Sequence, residues 1–569
     1  MNSETKQHPP HCDARPGGER LYLGWWLVMA VLLLHIYARH VPWPWVVFVA
    51  DDWANYPQTL WYDSFWDAVR TGLQNPNRPI STVAVETVFP LFGRNPLPWT
   101  LLSITANALL LMAVMKMALE LSASRRMAAL SGIVLAVLPN LTETYLWSTQ
   151  ILNEVSCALV FYALSAWMWI AYMRLGGAWR LVVSAFAYLI GLFSYEAGIL
   201  LPAAYMVLIP WRQKPFGGML RLMPFAAICL LYMAWRVTDA FGTNQSWYYP
   251  PHMEAGISLW GVGWNIRQMI HWWAGDHMFG SMLSGFQSFA MLAPWTRRFL
   301  VLGNILVVGL IGCILRRLGS GSARKPLLEG HAAACPWARK SVPLHEGTTT
   351  QECETGIETQ TFSLLQIVSF GVVWTGAAMA IPILSYTESR LMVLPAIGIS
   401  LLTAIAFSRL SIRYWGALLF VPMVLALTAN QGTTESYRQV SVFNDRLYTH
   451  LEQTKEEWRD KEAVLFDTRA MRNRLTPGLL RPVGEDEATW ARYNNALLFR
   501  GFLPAGMIRL ITGEYRTPVR IVHDVEHGAR IEGDTLYWHA RYNPAWPYET
   551  PMDRVFVVDV HEVAVSGKR

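Results

Sequence analysis

Asp51 and Asp52 stand side by side directly after the apolar run Trp43 to Ala50, and a polar loop alone has no need of two adjacent acids. Like charges on neighbouring residues repel, so one of the pair can hold a proton near neutral pH, the condition for a group that exchanges a proton during a reaction. Consecutive side chains on a regular element diverge, so the two are not expected to grip one atom together. Further ionisable residues recur near the ends of apolar stretches: Arg78 and Glu86, Glu143, Glu154, Glu196, and Glu388 with Arg390. A charge at membrane depth costs about 2.5 to 3.5 kcal/mol even on a lenient insertion scale, so each calls for a reason. The plain reason is solvation, a helix cap or an ion pair, Glu388 with Arg390 or Arg78 with an acid of its own loop. The chemical one is a carboxyl that exchanges a proton, for which the adjacent acids Asp51 and Asp52 have the weakest structural explanation.

The elements that must hold these groups follow from composition. Of 569 residues 53% are hydrophobic and 15% charged, against roughly 25% charged in an ordinary soluble domain. The apolar residues form long blocks, which excludes a soluble, disordered or fibrous chain. A helix needs about 20 apolar residues to cross a bilayer, and about eleven segments approach that length: 21–38, 98–120, 127–145, 151–173, 179–194, 196–211, 219–239, 299–316, 363–384, 391–408 and 414–430. Arg125, Arg126, Arg174, Arg180, Arg212, Lys214, Arg221, Arg316, Arg317, Arg324, Lys325, Arg409 and Arg413 all fall on one side of these spans. By the positive-inside rule that side is cytoplasmic, so the formal charge of +6 reports orientation and not nucleic-acid binding. The division is then a cytoplasmic tail over 1–20, a membrane module over 21–430, and an extracytoplasmic domain over 431–569. Within the module lie a first outer loop over 39–97, a second over 240–298 and a flexible inner loop over 317–362. The polar N-terminus and the lack of a small-residue cleavage site make the first span a retained anchor. Both outer loops are rich in Trp and Tyr, and amphipathic helices are expected over Gln58 to Leu73 and Leu259 to Trp273.

The tail has a different texture. Asp445 to Asp460 suits a polar helix, and Ala463 to Phe466, Arg520 to His523, Thr535 to His539 and Arg554 to Val558 are short β-prone runs between Gly, Pro and Asp, which predicts a small α/β domain. The fold class is thus an all-α polytopic membrane bundle with a C-terminal extracytoplasmic α/β domain. Six scattered cysteines imply no disulfide framework. His523 and His527 around Asp524, and Cys335 and Cys353 around His345, lack the paired short spacing of a zinc site. No Gly-rich phosphate loop or nucleotide-binding βαβ unit is evident.

Several segments resemble the GT-C superfamily of membrane glycosyltransferases. VADDW, residues 49–53, is similar to that superfamily's acidic motif in the first outer loop. NRPI, Asn77 to Ile80, resembles the Arg-Pro element of its GtrII-type and TMTC-type branches; PMT-like enzymes belong to the same superfamily. LPNLTETYLWSTQILNE, Leu138 to Glu154, is similar to the end of its third span. FSYEAGILLP, Phe193 to Pro202, resembles its Lys-Glu turn, with Tyr195 where Lys is usual. SYTESRLMVLPAIG, Ser385 to Gly398, resembles its Arg-Tyr-Leu segment, with Leu391 and Met392 in place of the aromatic pair. The resemblance covers residues 20–430 by order and spacing, and none is evident for the tail. It implies transfer of a sugar from a polyprenyl-phosphate donor to a glycan, lipid or protein acceptor on the outer face of a bacterial inner membrane, with inversion and without nucleic acid. It makes Asp51 the base, and Asp52 a partner that shares its proton, orients the acceptor or binds a divalent cation, Mg or Mn. Arg390 is then the first choice for the phosphate and Arg78 the second. Glu196 and Glu143 bound the sugar pocket, and Tyr195, Trp147, His271 and Glu388 lie around it. A transporter or lipid flippase competes, as does a non-catalytic assembly subunit, although a transporter would place charges at mid-depth in matching halves.

Overall fold

The computed structural model describes residues 17–45, 48, 51–75, 78–138, 141–209, 215–242, 281–290, 292–320, 362–384, 393–410, 412–467, 502–514, 518–523, 529–540 and 543–565. Helix α1 (Gly17–His40) opens the bundle and is followed outside it by α2 (Asp51–Thr59), α3 (Phe65–Leu73) and α4 (Pro79–Phe92). The bundle resumes with α5 (Pro96–Ser122) and α6 (Arg125–Val137), against which α1 buries Val31, Leu34 and Ala38. Local chemistry sets these boundaries. Asn95 accepts a hydrogen bond from the Leu97 amide and Pro96 occupies the first helical position of α5; Ser124 accepts from the Met127 amide at the start of α6.

The third expected span, 127–145, is shorter than its apolarity suggested. Helix α6 ends at Val137, and Leu138 is already extended (ψ 117), because Pro139 disfavours helical backbone in the residue before it. The chain re-enters through two short turns, α7 (Thr142–Leu146) and α8 (Ser148–Gln150), winds as a π-helix over Ile151–Leu159 and continues as α9 (Val160–Leu175). After α10 (Ala178–Ser194) the expected span 196–211 resolves into a 3-10 turn, Glu196–Gly198, and the six-residue α11 (Pro202–Val207). At 1.5 Å per residue α11 covers roughly 9 Å, and the break is built in: a Cβ at Gly198 would collide with the Tyr162 ring.

Then come α12 (Pro215–Gly242), α13 (Ser281–Ala290), α14 (Pro294–Ser320), α15 (Leu364–Leu384), α16 (Val393–Arg409) and α17 (Ile412–Gln453). Among the described residues four helices are long and apolar enough to cross a membrane, Pro96–Ser122, Ser148–Leu175, Gly217–Arg236 and Pro294–Leu318, with several shorter apolar helices beside them. The last expected span, 414–430, is only the first part of α17, which runs on for 42 residues, roughly 63 Å. Hydropathy stops at residue 430 but packing does not. Asn304 of α14 donates to Thr428 at 3.0 Å and to the Gln431 carbonyl oxygen at 3.1 Å, and Gln431 returns a bond to Asn304. Such amide bonds join helices where lipid supplies no hydrophobic drive. Close backbone approach does the same between α13 and α17, since a Cβ on Gly432 would run into the Gly285 carbonyl oxygen. Gly432→Ala is therefore expected to destabilise the protein by roughly 1–3 kcal/mol or more, read as a lowered thermal midpoint in detergent; an unchanged midpoint would refute this packing.

Beyond α17 lie α18 (Lys455–Trp458), β1 (Ala463–Asp467), α19 (Phe502–Thr512), β2 (Arg520–His523), β3 (Arg530–Glu532), β4 (Thr535–Ala540), β5 (Asn543–Pro551), β6 (Val555–Asp559) and α20 (Val560–Val565). The expected β-prone runs coincide with β1, β2, β4 and β6, divided between a parallel sheet β2-β1-β6 and an antiparallel one β3-β4-β5. The first outer loop differs from expectation. The single amphipathic helix over Gln58 to Leu73 is split into α2 and α3, with Ser64 capping α3 at the Asp67 amide, and α4 is a helix where loop was expected. An outer aromatic core containing Phe48, Trp53, Phe89, Trp99, Tyr437, Leu447 and Phe466 ties this loop to the bundle and to the tail. The segment Leu259 to Trp273 lies outside the described residues.

Candidate functional site

Two groups of polar side chains collect the candidate residues, one around Arg78 and Glu196 and the other around Asp52. The first is centred on Arg78, the residue that precedes Pro79 at the start of α4. Its Nε donates to Glu196 Oε2 and its Nη2 to Glu196 Oε1, both at 3.0 Å, the two-pronged match of guanidinium to carboxylate. The guanidinium also lies 4.2 Å from the centre of the Tyr195 ring, a cation over an aromatic face. Ser81 fixes the two elements by donating to the Ser194 carbonyl at 3.0 Å. The Arg78 and Glu196 side chains retain 30% and 26% of their exposure, so the pair is half-buried and still reachable. Burial pushes the Glu196 carboxyl up, but the Arg78 charge, its hydrogen bonds, the turn's backbone and the charge of Arg236 bring it net below the usual value.

Sequence reasoning missed two members of this group. Tyr232 and Arg236 lie one turn apart on α12, and both interact electrostatically with Glu196. The Tyr232 hydroxyl and Arg236 Nη1 are buried without a hydrogen-bond partner. The segment was legible as an apolar span, and an arginine near the end of such a span was the available signal. Glu196 therefore faces two guanidiniums, and the group carries one more positive than negative charge. The Gly217–Arg236 stretch is apolar and only 17% buried inside the protein, so the surplus cation sits at the end of a largely exposed apolar helix.

The second group is centred on the acid pair. Asp52 is fully buried, and its Oδ1 accepts from the Thr149 amide at 2.7 Å and from the Thr149 hydroxyl; Asn55 donates to that hydroxyl at 3.2 Å. The next residue, Trp53, stacks on Tyr448 of α17 at 5.7 Å. Arg94 lies over both rings, at 5.0 and 4.4 Å, and pairs with Asp445 at 2.9 Å. Trp61 adds a bond to the Gly513 carbonyl at 3.3 Å, so α2 is clamped between bundle and tail. Asp51 opens α2, where the helix dipole favours a carboxylate. Glu86 on α4 is raised by burial, offset in part by a bond from Tyr62.

Arg78 thus meets Glu196, a residue 118 positions away, and not an acid of its own loop. Tyr56 approaches Gly93, at the C-terminal end of α4, whereas Arg78 stands at its N-terminal end. The 14 residues of α4 separate those ends by roughly 20 Å. The π-helix carrying the buried Glu154 begins two residues after Thr149 and packs against both α4 and α10, so it links the acid group to the Arg78 group. Trp147 is buried in the outer core. Glu143 lies within α7 but its side chain is outside the described residues, as is that of Asp51; His271, Glu388 and Arg390 are outside them altogether. Among the described residues no cluster of three His, Cys, Asp or Glu side chains could hold a metal ion.

No protein-family model matches the chain, and no curated protein does. Among solved structures the chain is similar to the crystal structure of ArnT from Cupriavidus metallidurans bound to undecaprenyl phosphate. The likeness has 12% identity and a TM-score of 0.36, and it covers 89% of this chain and 90% of that one.

Proposed function

We propose that this protein is an integral-membrane glycosyltransferase that moves a sugar from a polyprenyl-phosphate donor to an acceptor hydroxyl on the outer face of a bacterial inner membrane. The observation that carries the reading is the surplus guanidinium at the Arg78–Glu196–Arg236 group, on a largely exposed apolar helix. A half-buried cation with an unmade hydrogen bond calls for an anion, and an anion that arrives through lipid is the headgroup of a lipid phosphate. The sugar donor class rests on the motif resemblance of residues 20–430, and the stepwise chemistry follows from the groups present. Asp51 accepts the proton of the acceptor hydroxyl as it attacks the anomeric carbon, and the bond to phosphate breaks with inversion. Arg78 and Arg236 engage the phosphate as the donor enters, a helix length from α2, and after the donor has advanced to the acid group the phosphate departs as a stable anion needing no proton. Tyr232 donates to the same group. Glu196 accepts from sugar hydroxyls through lone pairs that Arg78 leaves open. Asp52 holds α2 in place through Thr149. The tail domain binds the acceptor. A divalent cation, if used, would sit with the acid pair.

The test is binding of polyprenyl phosphate to the full-length protein in nanodiscs, read by native mass spectrometry, together with release of polyprenyl phosphate from polyprenyl-phosphate hexoses. Arg236→Met is expected to weaken lipid binding about tenfold or more, the worth of one charge-assisted bond. Binding unchanged in Arg236→Met, or no sugar released by the wild type from any such donor, overturns the reading.

A further inference from the structure

Arg39, near the end of α1, is fully buried, yet among the described residues no carboxylate pairs with it. A buried guanidinium is retained at a cost, and its bonds show where the return lies. Its Nη2 donates to the Leu138 carbonyl at 2.8 Å and its Nη1 to the Thr142 hydroxyl, while the guanidinium covers the Tyr145 ring at 4.5 Å. Thr142 passes a bond on to Asn430 Oδ1, and Asn430 Nδ2 donates to the Val137 carbonyl at 2.9 Å. Thr434, one turn along α17, donates to the Arg39 carbonyl at 2.9 Å. Arg39 and Asn430 thereby satisfy the carbonyls left bare where α6 stops, with positive charge at the negative end of a helix. They also pin the first residue of the turn segment that follows.

That segment, Thr142 to Gln150, is buried wherever its side chains are described, and Ser103 of α5 donates to the Tyr145 carbonyl at 2.9 Å. Its far end is Thr149, whose amide and hydroxyl hold Asp52. Helix α17 therefore grips α2 twice. Asn430 acts through the turn segment, and Tyr448 with Asp445 acts directly through Trp53 and Arg94.

We infer that the Arg39–Thr142–Asn430 triad is a positioning device, which fixes the turn segment against α1 and α17 and through Thr149 sets where α2 and its acids stand. This rests on the reading of α2 as the carrier of the base. Thr142 is the informative position, because its hydroxyl both accepts and donates, Ser keeps both functions, and Val keeps the shape and loses both.

The test uses the full-length protein in nanodiscs and two readouts. Amide hydrogen exchange is followed by mass spectrometry in peptides covering 51–59 and 142–150, and kcat and the KM for lipid-linked sugar are measured in parallel. In Thr142→Val, exchange in both peptides is expected to rise severalfold and kcat to fall about tenfold to a hundredfold, the range that ångström-scale misplacement produces. KM stays within twofold, and Thr142→Ser recovers both readouts. Arg39→Lys keeps the charge but cannot fork to Leu138 and Thr142 together; it is expected to behave as Thr142→Val does and serves in its place if that variant does not fold. Exchange in 51–59 and kcat both within twofold of wild type in these variants overturn the inference. A wild type without transferase turnover defeats the functional reading, and the exchange measurement then decides the positioning claim by itself.

Discussion

Asp51→Asn is expected to lower turnover about 10²- to 10⁴-fold, the usual contribution of a general base, while the thermal midpoint and donor binding stay near those of the wild type. The stability half of this expectation comes from how α2 is held. Its anchors are Asp52 on Thr149, Trp53 stacked on Tyr448 with Arg94 over both rings, and Trp61 on the Gly513 carbonyl. None of these described anchors uses Asp51, and Asn has the shape of Asp. The neighbouring change separates the two acids. Asp52→Asn removes the charge from a buried oxygen that accepts two bonds, and is expected to cost roughly 1–3 kcal/mol of stability along with activity. Release of polyprenyl phosphate from a labelled donor and thermal unfolding in detergent read both variants. Retention of more than a tenth of wild-type turnover by Asp51→Asn would remove that residue from the base's role, and an equal loss of stability in both variants would make the pair structural.

How much of this was legible depended on whether the signal was local. The runs at Ala463 and Arg520 fold as the strands their β-branched residues predict, because short apolar segments between turn residues have few alternatives. The spans were found by apolarity but their ends were not. Nothing in mean apolarity distinguishes 196–211 from a crossing helix; the break needs Gly198 to fit under Tyr162 and Pro202 to start a new helix. Helix α17 shows the reverse error. Gln431, Thr434 and Glu435 read as the start of a polar tail, yet all three are buried in partnered contacts within one continuous helix. The acid pair stood out because its oddity is local. The partner of Arg78 could not, since an ion pair across 118 residues leaves no mark on either segment. The same limit hid Thr149, an ordinary residue whose amide and hydroxyl matter only because the fold brings Asp52 to them.

The Arg78–Glu196 ion pair gives the second large effect, because its structural work and the ligand-binding work proposed for it can be pulled apart. Arg78→Met leaves the Glu196 carboxylate half-buried and short of its main partner. A loss of about 1–3 kcal/mol is expected, between the worth of an exposed pair and the cost of breaking a buried one. Changing both residues to Met removes the orphan charge together with its partner, so stability should return to within about 1 kcal/mol of wild type. Affinity for polyprenyl phosphate should not return, since one of its two guanidiniums is gone; a 10- to 100-fold weakening corresponds to about 1.4–2.8 kcal/mol. The pH dependence has a definite sign. The Glu196 carboxyl is held below its ordinary value, so the pair stabilises the protein fully above the unfolded carboxylate pKa and loses that contribution as pH falls through the lower folded value. The stability gap between wild type and Arg78→Met should follow the same course, and more steeply because burial without Arg78 disfavours the ionised carboxylate: large near neutral pH, it should close in acid. Thermal midpoints across pH and lipid binding in the four proteins of the cycle check this. A double variant as unstable as Arg78→Met, or one that binds the lipid as wild type does, would mean that the guanidinium serves Glu196 alone and that no phosphate is held there.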